Sequence, residues 1–321
     1  MCERVQNSVQ QLGYKPLRKR KADARKETGL AGKTVGLLTI GMDPSLSHLP
    51  VITAAIDGIR QACHELGANL RICDAPDPAT RPMWIKGIQC DAWLIKGAMQ
   101  GDLIAATHPD LLQQMQRNPC VWFHGRPGGA PGFGVGTNDW EVGAIAAKHL
   151  HEKGHREVAF LSPKNNHALL KHREHGFVAH CEKLGMKCEV HSRNLQAWTF
   201  PLERPKSLAA VSSLLEKILS TKKKTSAIFV PADSIAVLLY RALAERGLRI
   251  PEDLSVISAN REETLIAGLY PSLTTVDVHA RQVGREAVAL LDRSLQPGSD
   301  LPPQDVQISP TLEIGESVHT L

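Results

Sequence analysis

The chain reads as an α/β protein of the doubly wound class, and three observations carry that assignment. From Thr34 onward, short β-branched or apolar runs alternate with longer stretches of helical periodicity, the pattern of a parallel sheet covered by helices. A length of 321 residues is enough for two domains or one large α/β domain. The composition, 42% hydrophobic and 22% charged, is that of an ordinary globular protein, and no apolar run approaches membrane-spanning length.

Taken in order, the elements begin with Val5, Val9 and Leu12 at i, i+4 and i+7, one apolar stripe on a short helix that Gly13 and Pro16 end. A basic stretch, Leu17–Lys33, follows. Thr34–Ile40 reads as a strand, and Ile52, Ala55, Ile56, Ile59, Cys63 and Leu66 form a helical stripe stopped by Gly67. Asn69–Cys73, Ala92–Ile95 and Val121–Phe123 are strands, and the glycine- and proline-dense Gly125–Gly136 reads as a loop. Helices are predicted over Trp140–Lys153, Ala168–Leu184, Lys206–Leu219, Asp233–Arg246 and Ala280–Leu295. Strands are predicted over Glu157–Ser162, Cys188–His191, Ser226–Val230, Leu254–Ser258 and Leu273–Val276. Periodicity does not say whether these strands form one sheet or two.

Charge and cysteine content narrow the classes further. The net charge of +5 is unevenly placed: residues 1–33 carry nine Lys/Arg against three Asp/Glu, which leaves the remainder near neutrality. Such an arm reads as a nucleic-acid contact or a solvated tail. Seven scattered cysteines, an odd number, point to free thiols in a reducing compartment, and the polar start carries no secretory h-region; both favour the cytoplasm.

Several runs together give a resemblance that covers nearly the whole chain. Arg4-Val5, Leu12-Gly13-Tyr14 and Pro16 fit the pattern "R-V-x-x-x-x-x-x-L-G-Y-x-P". Val35-Gly36-Leu37-Leu38 fits "I-G-L-L", Gly154-His155-Arg156 with Val158–Leu161 fits "G-H-R-x-I-A-F-L", and Arg173 with Gly176-Phe177 fits "R-x-x-G-F". Ala232-Asp233 stands at an "N-D" step, Ile250–Val256 fits "I-P-x-D-(I/L)-S-V", and Pro271–Val276 fits "P-x-L-T-T-V". In this order and spacing the chain resembles the lac repressor/galactose repressor (LacI/GalR) family of transcriptional regulators. The resemblance implies two similar doubly wound parallel-sheet subdomains joined by crossover strands, as in periplasmic binding proteins, with a small effector between them. It assigns residues 1–33 to a remnant of a DNA-binding headpiece and basic hinge arm. Residues 34–157 plus 279–298 would form one subdomain, and 158–278 plus 299–321 the other. In the family a helix-turn-helix precedes the first helix seen here, so the headpiece is expected to be truncated at its amino terminus. The stretch Leu17–Lys21 also departs from the "A-x-x-L" hinge helix of relatives, being almost all charge.

Ligands of open α/β sheets sit beyond the carboxyl ends of strands. That singles out the loops Met42–His48, Lys96–Met99, His124–Gly128, Ser162–His167, Pro231–Asp233 and Ala259–Glu262. Within them and beside them the resemblance names the effector-binding candidates. Arg173 offers a planar fork of donors to vicinal hydroxyls or a carboxylate, the alternative being a surface arginine. Asp233 is a ligand contact, a helix N-cap or both. Asn260 replaces the family's Asp in "G-F-D", and an amide both donates and accepts. Asp139 matches a "D-x-x-x-G" step and is otherwise a helix cap. Trp198 falls where relatives often place an aromatic lid, or packs on a helix. Lys15, Arg18, Lys19, Arg20 and Lys21 are the candidate DNA contacts.

Other patterns point to less. His167, His172, His175, His180 and Cys181 lack the paired spacings of structural zinc, so no metal or cofactor is expected. Gly132–Gly136 contains G-x-G-x-G, but its third glycine comes too early for a dinucleotide fingerprint. No Ser/His/Asp arrangement is readable, so an enzyme is unsupported. The expected function is an effector-responsive, homodimeric DNA-binding regulator sensing a sugar or related metabolite; a stand-alone sugar receptor of the same fold is the alternative.

Overall fold

A computed structural model describes residues 29–195, 204–221 and 224–321. The amino-terminal helix around Val5–Leu12, the arm residues Lys15 and Arg18–Lys21, and Trp198 lie outside the described residues. The first part of the chain runs β1 (Thr34–Ile40), α1 (Pro50–Leu66), β2 (Asn69–Ala75), β3 (Ala92–Gly97), α2 (Pro109–Arg117), β4 (Cys120–Phe123) and β5 (Phe133–Thr137). The second runs α3 (Asp139–Glu152), β6 (Glu157–Ser162), α4 (Ala168–Lys183), β7 (Lys187–Ser192), α5 (Arg204–Leu219), β8 (Ala227–Phe229), α6 (Asp233–Ala244), β9 (Ser255–Asn260), α7 (Glu263–Ile266) and β10 (Thr274–Asp277). The chain then returns through α8 (Ala280–Ser294), β11 (Asp305–Ile308) and β12 (Thr311–Glu313).

The strands form two six-stranded sheets, ordered β11-β5-β4-β3-β1-β2 and β12-β10-β9-β8-β6-β7. Every pairing in the first sheet is parallel; in the second only β12 runs antiparallel, against β10. Parallel strands buried on both faces must send apolar side chains both ways. In β6, Val158 and Phe160 join a core with Val142, Leu150, Phe177 and Phe229, while Ala159 and Leu161 join another with Leu215, Ile228 and Leu239. In β1, Val35 and Leu37 pack with Ile59, Val283 and Leu291, and Leu38 and Ile40 with Trp93, Trp122 and Met115. Each lobe therefore has a core on either side of its own sheet.

The helix pairs α1/α8 and α3/α4 cross unusually closely, and reciprocal glycines permit it. A Cβ added at Gly58 would lie 2.1 Å from the Arg281 carbonyl, and one at Gly284 would lie 2.0 Å from that of Ala55. In the other lobe, a Cβ at Gly143 would lie 2.1 Å from the Arg173 carbonyl, and one at Gly176 would lie 2.0 Å from that of Trp140. The α3/α4 contact thus sets how near Arg173 on one helix lies to Asp139 on the other.

The structure departs from three expectations. The subdomain boundary falls at Asn138 rather than after residue 157, because the apolar face of α3 packs on the second sheet with Phe160 and Phe177. The chain makes its last crossing between β11 and β12 rather than at residue 298, since β11 pairs with β5 in the first sheet. The loop expected over Gly125–Gly136 ends early, in β5. Its glycines hid the strand: a side chain at Gly134 would strike the Asp305 carboxylate at 2.1 Å, and one at Gly136 would crowd the Gly125 backbone.

Gly176→Ala should destabilise the fold by about 1–3 kcal/mol, because the new methyl group meets backbone rather than a side chain that can turn away. Gly268→Ala, with no atom within 4 Å of the added carbon, is the control. Urea denaturation of both variants should show a large loss for the first and a change within about 0.5 kcal/mol for the second.

Candidate functional site

The carboxyl ends of the two sheets face each other, and a cavity of about 530 Å³ lies between them. All six loops singled out in the sequence contribute to its wall: Met42 and Asp43, Lys96 to Met99, His124, Lys164 and His167, Ala232, and Asn260 with Glu262. The lobes also touch across it. Ala168 N donates to Met99 O at 2.8 Å, Val51 N donates to the Glu262 carboxylate at 3.2 Å, and Asn166 Nδ2 donates to Gln100 Oε1 at 3.4 Å.

Arg173 lies at the centre of the second lobe's wall and is only 5% exposed. Its Nε donates to Asp139 Oδ1 at 2.7 Å, and its Nη1 donates to Pro231 O at 2.6 Å and Asn260 Oδ1 at 2.8 Å. No described hydrogen bond uses Nη2. One guanidinium therefore ties together the start of α3, the end of β8 and the end of β9, and keeps a donor for the cavity. Asp139 is not the cap of α3; Asn138 is, accepting from Glu141 N at 3.2 Å. Asp139 instead supplies the counter-charge, and burial raises its carboxyl against the pull of Arg173.

Asp233 is placed differently from either expectation. It is fully buried behind the wall and is absent from the cavity lining. Both carboxylate oxygens are engaged, Oδ1 by the Ser258 hydroxyl and by Thr275 Oγ1 at 2.8 Å, and Oδ2 by Glu262 N at 2.6 Å. Helix α6 has no side-chain cap at all. Asp233 holds the β9–α7 turn in shape and does not cap α6.

That turn is where the backbone is most constrained. Asn260 and Arg261 have φ of 115° and 57°, and across the cleft His124 has φ of 53°. Non-glycine residues in this region cost energy and persist where surrounding contacts over-determine them, commonly at functional sites. Asn260 uses both halves of its amide: Oδ1 accepts from Arg173, and Nδ2 donates to Glu262 Oε2 at 3.3 Å. A carboxylate there would face Glu262 as a like charge, which accounts for an amide at this position.

Glu262, Lys96, Lys164, His124 and His167 are wall residues that the motifs did not name. They carry no pattern of their own; only the loop argument reached them. Burial, reinforced by the Asp233 charge, pushes the Glu262 carboxyl up to about 7, and burial pushes Asp233 up to about 6. Burial brings Lys96 and Lys164 down to about 8. His124, buried beside Lys96 and Arg173, falls to about 3, and burial likewise holds His167 far below its usual range; both rings are neutral near pH 7. The remaining histidines of α4 form no metal cluster: His172 and His175 are exposed, and no group of metal-binding type occurs among the described residues. The six described cysteines are free thiols.

Two measurements test this wall. Arg173→Ala should cost about 3–5 kcal/mol, since it strands the buried Asp139 carboxylate, and the double change Arg173→Met with Asp139→Leu should recover most of that loss. The second is pH dependence. Asp233 and Glu262 are raised above their unfolded values, so between about pH 4 and 7 the folded chain binds more protons than the unfolded one, and their contribution to stability falls as pH rises. Glu262, facing Asp233, Asn260, Arg173 and the Val51 amide, should carry part of that slope. Denaturation at several pH values should show a shallower fall for Glu262→Gln; an unchanged slope would contradict the assignment.

Comparison with known proteins agrees with this architecture. Residues 147–318 match the model of the periplasmic binding protein-like domain. The chain is 27% identical over 294 residues to the HTH-type transcriptional repressor PurR of Aliivibrio salmonicida, covering 90% of this chain and 81% of that one. It is 29% identical over 296 residues, at the same coverage, to PurR of Vibrio cholerae serotype O1 (strain M66-2). Among solved structures it is similar to the transcriptional regulator CelR in complex with cellobiose, with a TM-score of 0.71 at 22% identity over 98% of this chain and 90% of that one. It is also similar to a LacI-family regulator of Enterococcus faecium with bound ribose, with a TM-score of 0.69 at 22% identity over 90% and 100%. These relatives are named as regulators and not as enzymes. The chain belongs to the periplasmic binding protein-like family, as a transcriptional regulator of the LacI/GalR type with a ligand-binding domain.

Proposed function

We propose that this regulator senses a sugar or related small metabolite in the cleft, and that it acts as a homodimer on operator DNA in the cytoplasm. The observation that carries the reading is the cavity between opposed strand ends, into which Arg173 is held by Asp139, Pro231 and Asn260. The cellobiose and ribose complexes of the structural relatives support a sugar-like occupant. That the curated relatives are repressors over nine-tenths of this chain favours a regulator over a free-standing receptor. No described helix is long and apolar enough to cross a membrane.

An effector touching both lobes stabilises the closed arrangement, in which Val51 meets Glu262 and Met99 meets Ala168. It shifts the equilibrium only by its differential affinity for closed and open states; a hundredfold preference gives about 2.7 kcal/mol. The lobe that follows the basic arm would then transmit the change to DNA. Lys15 and Arg18–Lys21 are assigned phosphate contacts, whose strength falls steeply with salt. The two-fold symmetry of paired half-sites asks for a two-fold protein interface, assigned to the α/β body.

A metabolite panel scored by thermal shift should yield at least one sugar or sugar derivative that raises the melting temperature. That compound should change operator affinity at least tenfold in fluorescence anisotropy. Light scattering should give twice the chain mass. A monomer whose DNA affinity ignores every stabilising ligand would overturn the reading.

A further inference from the structure

Much of the polar wall is already committed to the protein. Arg173 bonds Asp139, Pro231 O and Asn260, Asn260 bonds Glu262, and Glu262 accepts from the Val51 amide. The His124 ring is likewise bonded to the Val51 backbone.

The opposing wall is aliphatic. Leu46, Leu49 and Ile52 recur at every third position where a 3-10 turn (Pro44–His48) runs into α1, so they share one face, and all three line the cavity. Leu169 and Leu170 line it from the first turn of α4, and Met99 from the loop after β3. Met99 and Leu169, one from each lobe, converge on Gly125: a Cβ added there would lie 2.8 Å from Met99 Cε and 3.0 Å from Leu169 Cδ2. None of these six side chains joins any of the four hydrophobic cores formed by the described residues. Among the described residues no Phe, Tyr or Trp lines the cavity.

Apolar side chains that two lobes turn toward one enclosed space, outside either lobe's core, gain from burial only against something that fills that space. A bare polyol fills it poorly. Each hydroxyl laid against leucine or methionine gives up its hydrogen bonds to water without replacement. A volume of about 530 Å³ lies in the range of roughly 300–1,000 Å³ that encloses drug-sized ligands, which leaves room for a sugar ring and a substituent.

We propose that the effector is amphiphilic, a sugar derivative carrying a compact aliphatic group. Its hydroxylated part faces Arg173 and Asn260, and its apolar group lies between Leu46, Leu49 and Ile52 of one lobe and Leu169 and Leu170 of the other. The inference rests on the small-metabolite reading above and narrows it. It also supplies the differential affinity that closure requires, since the apolar group is fully buried only when both sets of side chains face it.

Calorimetry on the full chain with matched pairs tests this: methyl and hexyl β-glucoside, β-galactoside and β-riboside. At least one hexyl glycoside should bind tenfold or more tightly than its methyl partner. A buried methylene is worth about fourfold in affinity, so burying about two of the extra ones suffices. The heat-capacity change of binding should be more negative for the hexyl member, as apolar burial requires. Leu46→Ser and Leu170→Ser, on opposite lobes, should each lose about fivefold or more for the hexyl glycoside. Both should leave the methyl member's affinity and the unliganded melting temperature unchanged. Met83→Ser, at a residue 97% exposed and outside the cavity, is the control and should alter neither affinity. Equal affinity within every pair, or hexyl binding that ignores both leucine variants, overturns the inference and leaves the small-metabolite reading standing. Binding by none of the six also overturns it, while a hit in the metabolite panel above would still support the broader reading.

Discussion

The buried guanidinium of Arg173 is the constraint on which the rest of the cleft depends. Three segments distant in sequence, the start of α3, the end of β8 and the end of β9, converge on it. A charge so enclosed is tolerable because Asp139 balances it and the neutral acceptors Pro231 O and Asn260 Oδ1 take its Nη1 donors. The close crossing of α3 and α4 brings the pair together, and Gly143 and Gly176 leave room for that crossing. A packing requirement thus becomes an electrostatic one, and the electrostatic one shapes the wall of the cavity.

Around that centre the second lobe uses its polar groups to hold the shape of the wall. Asp233 braces the β9–α7 turn with both carboxylate oxygens, beside Asn260 and Arg261 at positive φ. Glu262 reaches over that turn to the Val51 amide in the first turn of α1, where the helix dipole favours a negative charge. The same contact joins the two lobes. Lys96, Lys164, His124 and His167 complete the wall from loops of both lobes.

Much of this was legible in the sequence, and the losses have physical causes. The alternation of strands and helices from Thr34 to Leu295 carried the fold because both faces of each sheet are buried and the apolar runs are strong. β5 escaped because Gly134 and Gly136 stand where neighbours forbid a side chain. β11 and β12 escaped because edge strands of four and three residues leave little pattern. Arg173 and Asn260 were found through motif resemblance and do line the cavity, and Asp139 lies one layer behind, on Arg173. The bracing role of Asp233 is not readable in sequence, because an aspartate opening a helix looks the same whether it caps, binds or braces a neighbouring loop. Lys96, Lys164, His124 and His167 could be reached only as members of loops, since their meeting depends on the two lobes facing each other.

The proposed effector binds between the lobes and holds them closed. Amide hydrogen exchange across the whole chain, with and without a ligand that raises the melting temperature, tests it most directly. Slower exchange is expected at Val51 and Ala168, whose amides bridge the lobes, and in the loops around Lys96, His124, Lys164 and Asn260. Protection confined to one lobe's outer helices, or unchanged exchange at Val51 and Ala168 with ligand bound, would contradict it.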